Sequence, residues 1–98
     1  MDIIKKQDQT ALTIEITGRL DTTTAPQLED VVKADLDGIT ELLLDLAGLE
    51  YISSAGLRVV LSAQKIMNKQ GNMKIVNANE SIMEVFEITG FADILTFA

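Results

Sequence analysis

The chain contains neither cysteine nor histidine among its 98 residues. Disulfides, thiolate nucleophiles, imidazole bases and the usual zinc ligand sets are therefore excluded. Hydrolytic triads built on a Ser-His or Cys-His pair are excluded for the same reason. Carboxylates are plentiful, but the sequence shows no recognisable inward-facing pair of them. We expect a protein that is not an enzyme and that uses no metal ion and no cofactor.

Basic and aromatic residues are also scarce. Eight Lys and Arg stand against fifteen Asp and Glu, a formal net charge of -7 at pH 7, and there are three Phe, one Tyr and no Trp. Nucleic-acid affinity depends largely on Lys and Arg neutralising phosphates and on aromatic rings stacking on bases. The composition predicts no nucleic-acid partner and favours a protein partner.

Long apolar runs are missing too. No run approaches the ~20 residues of a membrane span, and the start of the chain, Met1 to Thr10, lacks the apolar region of a signal peptide. We therefore expect a cytoplasmic protein without membrane insertion.

A chain of this size with 47% hydrophobic residues fits one globular domain, residues 1–98, and it contains no internal repeat or linker.

Hydrophobic periodicity predicts strands that alternate with helices. Apolar and polar residues alternate from Ala11 to Thr17, as in a strand with one buried face, whereas the apolar run from Leu42 to Leu46 favours a central strand covered on both faces. The predicted strands are Ile3 to Gln7, Ala11 to Thr17, Glu41 to Asp45, Met73 to Val76 and an edge strand at Ile94 to Phe97. The order β-β-α-β-α-β-α-β predicts an α/β fold, a mixed, mostly parallel sheet with flanking helices and an antiparallel first strand.

Local signals set the predicted helix ends. Thr24-Ala25-Pro26-Gln27 has the pattern of a capping box, and glycines follow each helical segment. The three predicted helices run from about Thr24 to before Gly38, from Ser54 to Gln70 before Gly71, and from about Glu80 to Thr89 before Gly90 and Phe91. Ile82, Val85, Phe86 and Ile88 are expected on the buried side of the last helix.

Three predicted loops lie at the carboxyl ends of the parallel strands, where sites gather in such sheets. They are Gly18 to Thr24, Ala47 to Ser54 and Asn77 to Asn79, which would bring together Asp21, Ser53, Ser54, Asn77 and Asn79. Serines at a helix start suit capping and anion binding equally. A nucleotide-binding or small-molecule module is a weaker alternative, because no phosphate-cradling glycine motif is present.

The segment from Asp45 to Leu57, DLAGLEYISSAGL, resembles the signature of STAS domains, the sulphate transporter and anti-sigma factor antagonist family. The upstream segment Thr17 to Asp21, TGRLD, is similar to the family's G-x-L-D, and Phe86 to Phe91, FEITGF, is similar to its apolar-x-x-T/S-G-apolar segment. The resemblance spans nearly the whole chain. It implies a free-standing bacterial anti-sigma factor antagonist, with the STAS fold.

In those antagonists the serine of D-S-[ST]-G-[LIV] is phosphorylated by a partner that is both anti-sigma factor and serine kinase, and a PP2C-type phosphatase reverses the modification. Aligned on Gly56, that serine is Ser54. Ser53 replaces the family's frequent Asp and is the second-choice acceptor, and Ala55 replaces the following Ser or Thr. The partner-binding residues that the resemblance and position indicate are Asp21, Ser53, Ser54, Gly56 and Arg58. The alternative is a constitutive STAS scaffold subunit of a transporter or signalling complex, with Ser54 only a helix cap.

Overall fold

Four strands form one sheet in the order β1-β2-β3-β4. The computed structural model describes the whole chain, Met1–Ala98. The strands are β1, Asp2–Asp8; β2, Ala11–Leu20; β3, Glu41–Ile52; and β4, Asn72–Val76. β1 pairs antiparallel with β2, and the β2–β3 and β3–β4 pairs are parallel. The predicted mixed sheet with an antiparallel first strand is confirmed.

Three helices supply the other half of a single hydrophobic core. They are α1, Ala25–Asp35; α2, Ser54–Gln70; and α3, Glu80–Ile88. None of them has the length and apolarity of a membrane-spanning helix. Their buried residues join alternate residues of the strands in one cluster, which includes Ile14, Leu44, Leu28, Val60 and Phe86.

The helices cover only one face of the sheet. Leu42, Leu44 and Leu46 are buried, whereas Leu43 and Asp45 between them are half-buried. The expectation that this strand is covered on both faces was therefore wrong. A run of leucines arises here because Leu43 sits on the uncovered face, where a half-exposed apolar side chain is tolerated.

β3 is also seven residues longer than predicted. Residues 47–52, expected in a loop, continue the strand, and the end of β2 stays beside them, with Gly18 opposite Leu49 and Leu20 opposite Ile52. Register shifts between Glu15 and Thr17 and between Gly18 and Arg19 break the alternation of apolar and polar residues. Such bulges hide a strand from a period-two reading of the sequence.

The start of α1 lies where predicted, but its cap differs. Thr24 precedes the helix, and its hydroxyl makes no capping hydrogen bond. Instead the hydroxyl donates to the carbonyl oxygen of Arg19 at 2.8 Å and accepts from the backbone N–H of Asp21 at 2.8 Å. The capping-box prediction was therefore wrong, since Thr24 closes the turn that leads out of β2.

α2 has the predicted bounds, and Gly71 ends it for a steric reason. The φ of Gly71 is 176°, an extended conformation open to any residue. A Cβ on Gly71, however, would overlap the backbone of Thr40, with only 2.6 Å to its carbonyl carbon. Glycine is needed because the helix end and the turn before β3 approach so closely.

The C-terminal segment differs most from the prediction. Gly90 adopts the expected left-handed conformation, φ 81°, but Ile88 is 82% exposed and not on the buried side of α3. The predicted strand at residues 94–97 is reduced to one parallel bridge between Ile75 and Phe97. The short 3₁₀ helix Phe91–Asp93 continues into a turn in which the N–H groups of Ile94 and Leu95 donate to the carbonyl oxygen of Phe91, so these two residues do not pair with β4.

Candidate functional site at the start of α2

The hydroxyl, the carbonyl oxygen and the N–H of Ser53 are all hydrogen-bonded within the protein. Its hydroxyl oxygen accepts from the backbone N–H of Gly56 at 3.3 Å, so that Ser53 is the N-cap of α2. Its carbonyl oxygen accepts from Leu57 N–H at 2.9 Å, and its own N–H donates to the carbonyl oxygen of Leu20 at 2.9 Å. The half-buried Ser53 hydroxyl is therefore committed to holding the helix start.

Ser54 is the first helical residue, and its environment is the opposite. Its side chain is exposed, and its hydroxyl has no hydrogen-bond partner in the protein. With the N–H groups of Gly56 and Leu57 bonded to Ser53, those of Ser54 and Ala55 lack a protein acceptor. The first turn of α2 contains no acidic residue. Unpaired N–H groups and the helix dipole favour a negative charge at this point.

Gly56 lies beneath this surface. It is buried, and a Cβ there would lie 2.6 Å from Leu20 Cγ and 3.0 Å from the carbonyl oxygen of Leu20. Only glycine allows the first turn of α2 to rest on the end of β2. Gly56, predicted as partner-binding, thus sets the position of Ser54 from below.

Asp21 occupies the neighbouring edge, at the end of β2. Its carboxylate accepts from the Thr23 hydroxyl at 2.7 Å, from Thr23 N–H at 3.0 Å and from Thr24 N–H at 3.2 Å. The hydrogen bond from the Thr23 side chain is the main cause that lowers the pKa of Asp21 below its usual value, with the backbone N–H groups adding to it. Asp21 therefore carries its charge throughout the physiological range.

Arg58 lies on the first turns of α2 and is exposed. It borders a groove of about 400 Å³ between α1 and α2. The groove is lined by Thr22, Ala25, Pro26, Glu29, Lys33, Ala55, Arg58, Val59 and Ser62. The edge that presents Ser54 is thus continuous with a concave surface.

Two site residues were missed by the sequence reasoning. Arg19 and Tyr51 face each other across β2 and β3, and the Arg19 guanidinium stacks over the Tyr51 ring at 4.2 Å. Arg19 Nε also lies 3.8 Å from Asp21 Oδ2, and Tyr51 is 41% exposed. A single Tyr close before the serine pair was the available signal, since exposed Tyr and Arg are enriched in protein interfaces.

Asn77 and Asn79 lie away from the serines. Asn77 Nδ2 donates to Asp45 Oδ1 at 3.1 Å, and Asn79 Nδ2 donates to the carbonyl oxygen of Leu49 at 3.0 Å. Because β3 runs beyond β4, even Leu49 is four residues, roughly 13 Å of strand, from Ser53. The sequence correctly grouped Asp21 with the serines but was wrong to include the two asparagines.

Relatives with the name of anti-sigma factor antagonists match most of the chain. BtrV of Bordetella bronchiseptica, named as a candidate anti-sigma factor antagonist, is 42% identical over 83 residues, which cover 83% of this chain and 72% of BtrV. The anti-sigma-B factor antagonist of Bacillus subtilis is 31% identical over 91 residues, which cover 92% of this chain and 84% of that protein.

Solved structures share the fold. An anti-sigma factor antagonist from Mycobacterium paratuberculosis superposes with a TM-score of 0.88 at 21% identity, covering 98% of this chain and 83% of that one. The Bacillus cell-fate determinant SpoIIAA in its phosphorylated form superposes with a TM-score of 0.77 at 17% identity, covering 99% and 91%. At these identities the similarity concerns the fold alone.

The family assignment rests on the whole chain. The STAS domain model matches residues 2–98, which include the strand β3, both serines and the C-terminal Gly90–Phe91 turn. Together with the two relatives, this match shows that the chain belongs to the STAS domain family.

Proposed function

We propose that this protein is an anti-sigma factor antagonist that works by partner switching. Unmodified, it binds an anti-sigma factor and so releases a sigma factor; phosphorylation of Ser54 ends that binding. The names of the relatives support the first part. Phosphorylation of Ser54 is supported by the different environments of the two serines. The Ser53 hydroxyl caps α2, whereas the Ser54 hydroxyl is exposed and has no hydrogen-bond partner in the protein.

The anti-sigma factor is proposed to be the kinase as well. It would transfer the terminal phosphoryl group of a bound nucleoside triphosphate to Ser54 Oγ; the hydroxyl proton passes to a base of the kinase, and the nucleoside diphosphate leaves. A PP2C-type phosphatase would hydrolyse the phosphoserine with water, releasing inorganic phosphate and restoring the hydroxyl. In both steps this protein is the substrate and binding partner, not the catalyst. Sigma factors work in the cytoplasm, so the proposed function puts the protein there.

The fold is expected to survive the modification. The Ser54 hydroxyl has no hydrogen bond to lose, and the first turn of α2 holds no acid to repel the phosphate. A phosphate adds roughly -1.5 to -2 charges, and a helix start stabilises a negative charge by ~0.3 to 1 kcal/mol. Local electrostatics therefore favour, rather than oppose, the modified state.

The complex is not expected to survive. Burying an unpaired charge in an interface typically costs ~2 to 5 kcal/mol, and every 1.4 kcal/mol is tenfold in affinity. Affinity would fall roughly thirtyfold to several thousandfold. Asp21, at the end of β2, also carries a charge, which would add repulsion towards an acidic partner surface.

The proposed docking surface is the exposed edge around Ser54. It consists of Asp21, Ser53, Ser54 and Arg58, extended by the groove between α1 and α2 on one side and by the Arg19–Tyr51 stack on the other. Gly56 contributes by holding the edge in place. In the scaffold alternative Ser54 has only a capping role and is not phosphorylated, whereas the capping hydrogen bond is made by Ser53.

Phosphate incorporation by the cognate anti-sigma kinase tests the proposal. Ser54→Ala should fold, bind the kinase and take up no phosphate, whereas Ser53→Ala should still be labelled. Ser81→Ala is the matched control, because Ser81 is likewise an exposed serine in the first turn of a helix. Stoichiometric labelling of the Ser54→Ala variant would refute the site assignment.

A further inference from the structure

Arg58 is a cation without a partner, one helical turn after Ser54. The ion pairs of the protein are Lys5–Asp35, Lys6–Glu15, Arg19–Asp21 and Lys33–Glu29. Arg58 takes part in none of them. The only acid that lines its groove is Glu29, and the Glu29 carboxylate is bound to Lys33 Nζ at 2.7 Å. The Arg58 guanidinium therefore has its hydrogen-bond donors available.

The spacing directs Arg58 towards Ser54. Residues four apart lie above one another on a helix face, ~5 to 6 Å apart at Cβ, and helical side chains lean towards the N-terminus. Both side chains are exposed, and α2 contains no acidic residue to compete for the guanidinium. At the neighbouring edge the Asp21 carboxylate is bound by Thr23 and Thr24, and Arg19 lies against Asp21 and Tyr51. The next cation on this helix, Lys65, follows Ser54 by eleven residues, about 16 Å along the axis, and is out of reach.

We propose that Arg58 clamps the phosphate on Ser54. Two N–H groups of the guanidinium donate to two phosphate oxygens, and the side chain leaves the groove between α1 and α2 to do so. This inference rests on the proposed function, since it requires Ser54 to be the phosphorylated residue. Phosphorylation then changes the docking surface twice, because it adds an anion at the edge and removes a cation from the groove.

The chemistry of the pair favours the clamp. The planar guanidinium matches phosphate oxygens in a two-bond contact that a lysine cannot make. An anion placed four residues before a cation is also the more favourable orientation of such a helix pair. Ser54→Asp and Ser54→Glu supply a single charge and two acceptor oxygens, so these variants reproduce the added anion but only part of the clamp.

The test uses protein with phosphoserine installed at position 54 by stop-codon suppression, so that no kinase is needed. Phosphorus NMR follows the second ionisation of the phosphate with pH. Arg58 stabilises the dianion, and Arg58→Gln should raise the midpoint of this titration by about 0.2 to 0.4 pH units. Arg58→Lys should fall between the two. The matched control Lys65→Gln should change nothing, because about 16 Å exceeds the Debye length of about 8 Å at physiological salt.

Equal midpoints, within 0.1 pH unit, for the parent protein and Arg58→Gln, with circular dichroism showing both folded, would overturn the clamp. So would an equal change in Lys65→Gln, since that would indicate net charge rather than contact. Neither result bears on whether a kinase modifies Ser54. Conversely, failure of the kinase to phosphorylate Ser54 would refute the proposed function, but the titration of the installed phosphoserine could still be interpreted.

Discussion

The N-termini of α2 and α3 share the same type of cap but differ in their further hydrogen bonds and in their charge. Each follows a parallel strand, and each is capped by a side chain that accepts from the third helical N–H: Ser53 from Gly56 in α2, and Asn79 from Ile82 in α3. Asn79 also donates to the carbonyl oxygen of Leu49, so the start of α3 is tied to β3. The start of α2 has no such second tie through its cap side chain.

The two helices also differ in the sign of their charged residues. α2 carries Arg58, Lys65 and Lys69 and no acid, although the protein has a net charge of -7. α3 carries Glu80, Glu84 and Glu87 and no base, and Glu80 already complements its dipole in the first turn. A capped helix start is therefore not by itself a functional site. α2 differs because its first turn carries no negative charge that opposes a phosphate on the exposed Ser54 hydroxyl, whereas Glu80 lies next to the equally exposed Ser81 in the first turn of α3.

The largest expected effect is a loss of affinity for the anti-sigma factor when a negative charge is added to the first turn of α2 but not to that of α3. Ser54→Glu should weaken binding to the cognate anti-sigma factor by roughly thirtyfold or more, because the charge enters the interface. Ser81→Glu, which adds the same charge to an exposed serine in the first turn of α3, should leave the affinity unchanged. Titration calorimetry measures both. Equal affinities for the two variants would show that charge at Ser54 is not the switch.

The third helical residue gives the next largest effects, with opposite chemistry in the two helices. Ile82→Ala should cost about 2 to 5 kcal/mol of unfolding free energy by emptying a buried position. Gly56→Ala should cost about 1 to 3 kcal/mol by overpacking against Leu20, which exceeds the gain of at most about 1 kcal/mol from the better helix propensity of Ala. Urea denaturation measures both. An unchanged or raised stability for Gly56→Ala would contradict the close contact with Leu20.

The caps themselves predict smaller losses. Ser53→Ala should cost about 1 kcal/mol, and Asn79→Ala should cost about 1 kcal/mol more, since it also loses the hydrogen bond to the Leu49 carbonyl. Ser54→Ala should be close to neutral. The same denaturation experiment ranks the three variants, and a loss for Ser54→Ala as large as that for Ser53→Ala would mean that the cap is shared.

The smallest effect is the pH dependence at Asp21, beside the start of α2. Its pKa is lowered in the folded state, chiefly by the Thr23 hydroxyl. The ionised carboxylate therefore adds stability above the unfolded pKa of about 3.9, and that contribution disappears as the pH falls through the lower folded value. Asp21→Asn should be less stable than the parent at pH 6, with the difference vanishing towards pH 2. A difference independent of pH would show that the charge plays no part.

The regular parts of this molecule could be read from the sequence. The periodicity of α2 and the glycines after α2 and α3 gave correct helix ends because these signals are local, although the contact with Thr40 that requires Gly71 is not. The end of β3 could not be read, since the register shifts beside Gly18 and Gly48 interrupt the alternation on which strand prediction depends. The bond of Thr24 to the Arg19 carbonyl was equally hidden, because its partner is set by the path of the chain out of β2.

The functional site could likewise be predicted only in part. The location of the serine pair and Asp21 at the carboxyl ends of predicted parallel strands indicated these residues, and the family resemblance selected Ser54. The structure supplied the physical contrast between the serines, a committed hydroxyl on Ser53 and a free one on Ser54. It also added the Arg19–Tyr51 stack, which depends on two strands paired at their far ends and has no short-range sequence signature.

Peptide mass spectrometry of the protein purified from its native cells tests the central claim most directly, with samples taken before and after the sigma factor is activated. We predict phosphate on Ser54 while the sigma factor is held inactive, loss of that phosphate on activation, and unmodified Ser53 and Ser81 throughout. Phosphate on Ser53, or an unmodified Ser54 in both states, would contradict the account.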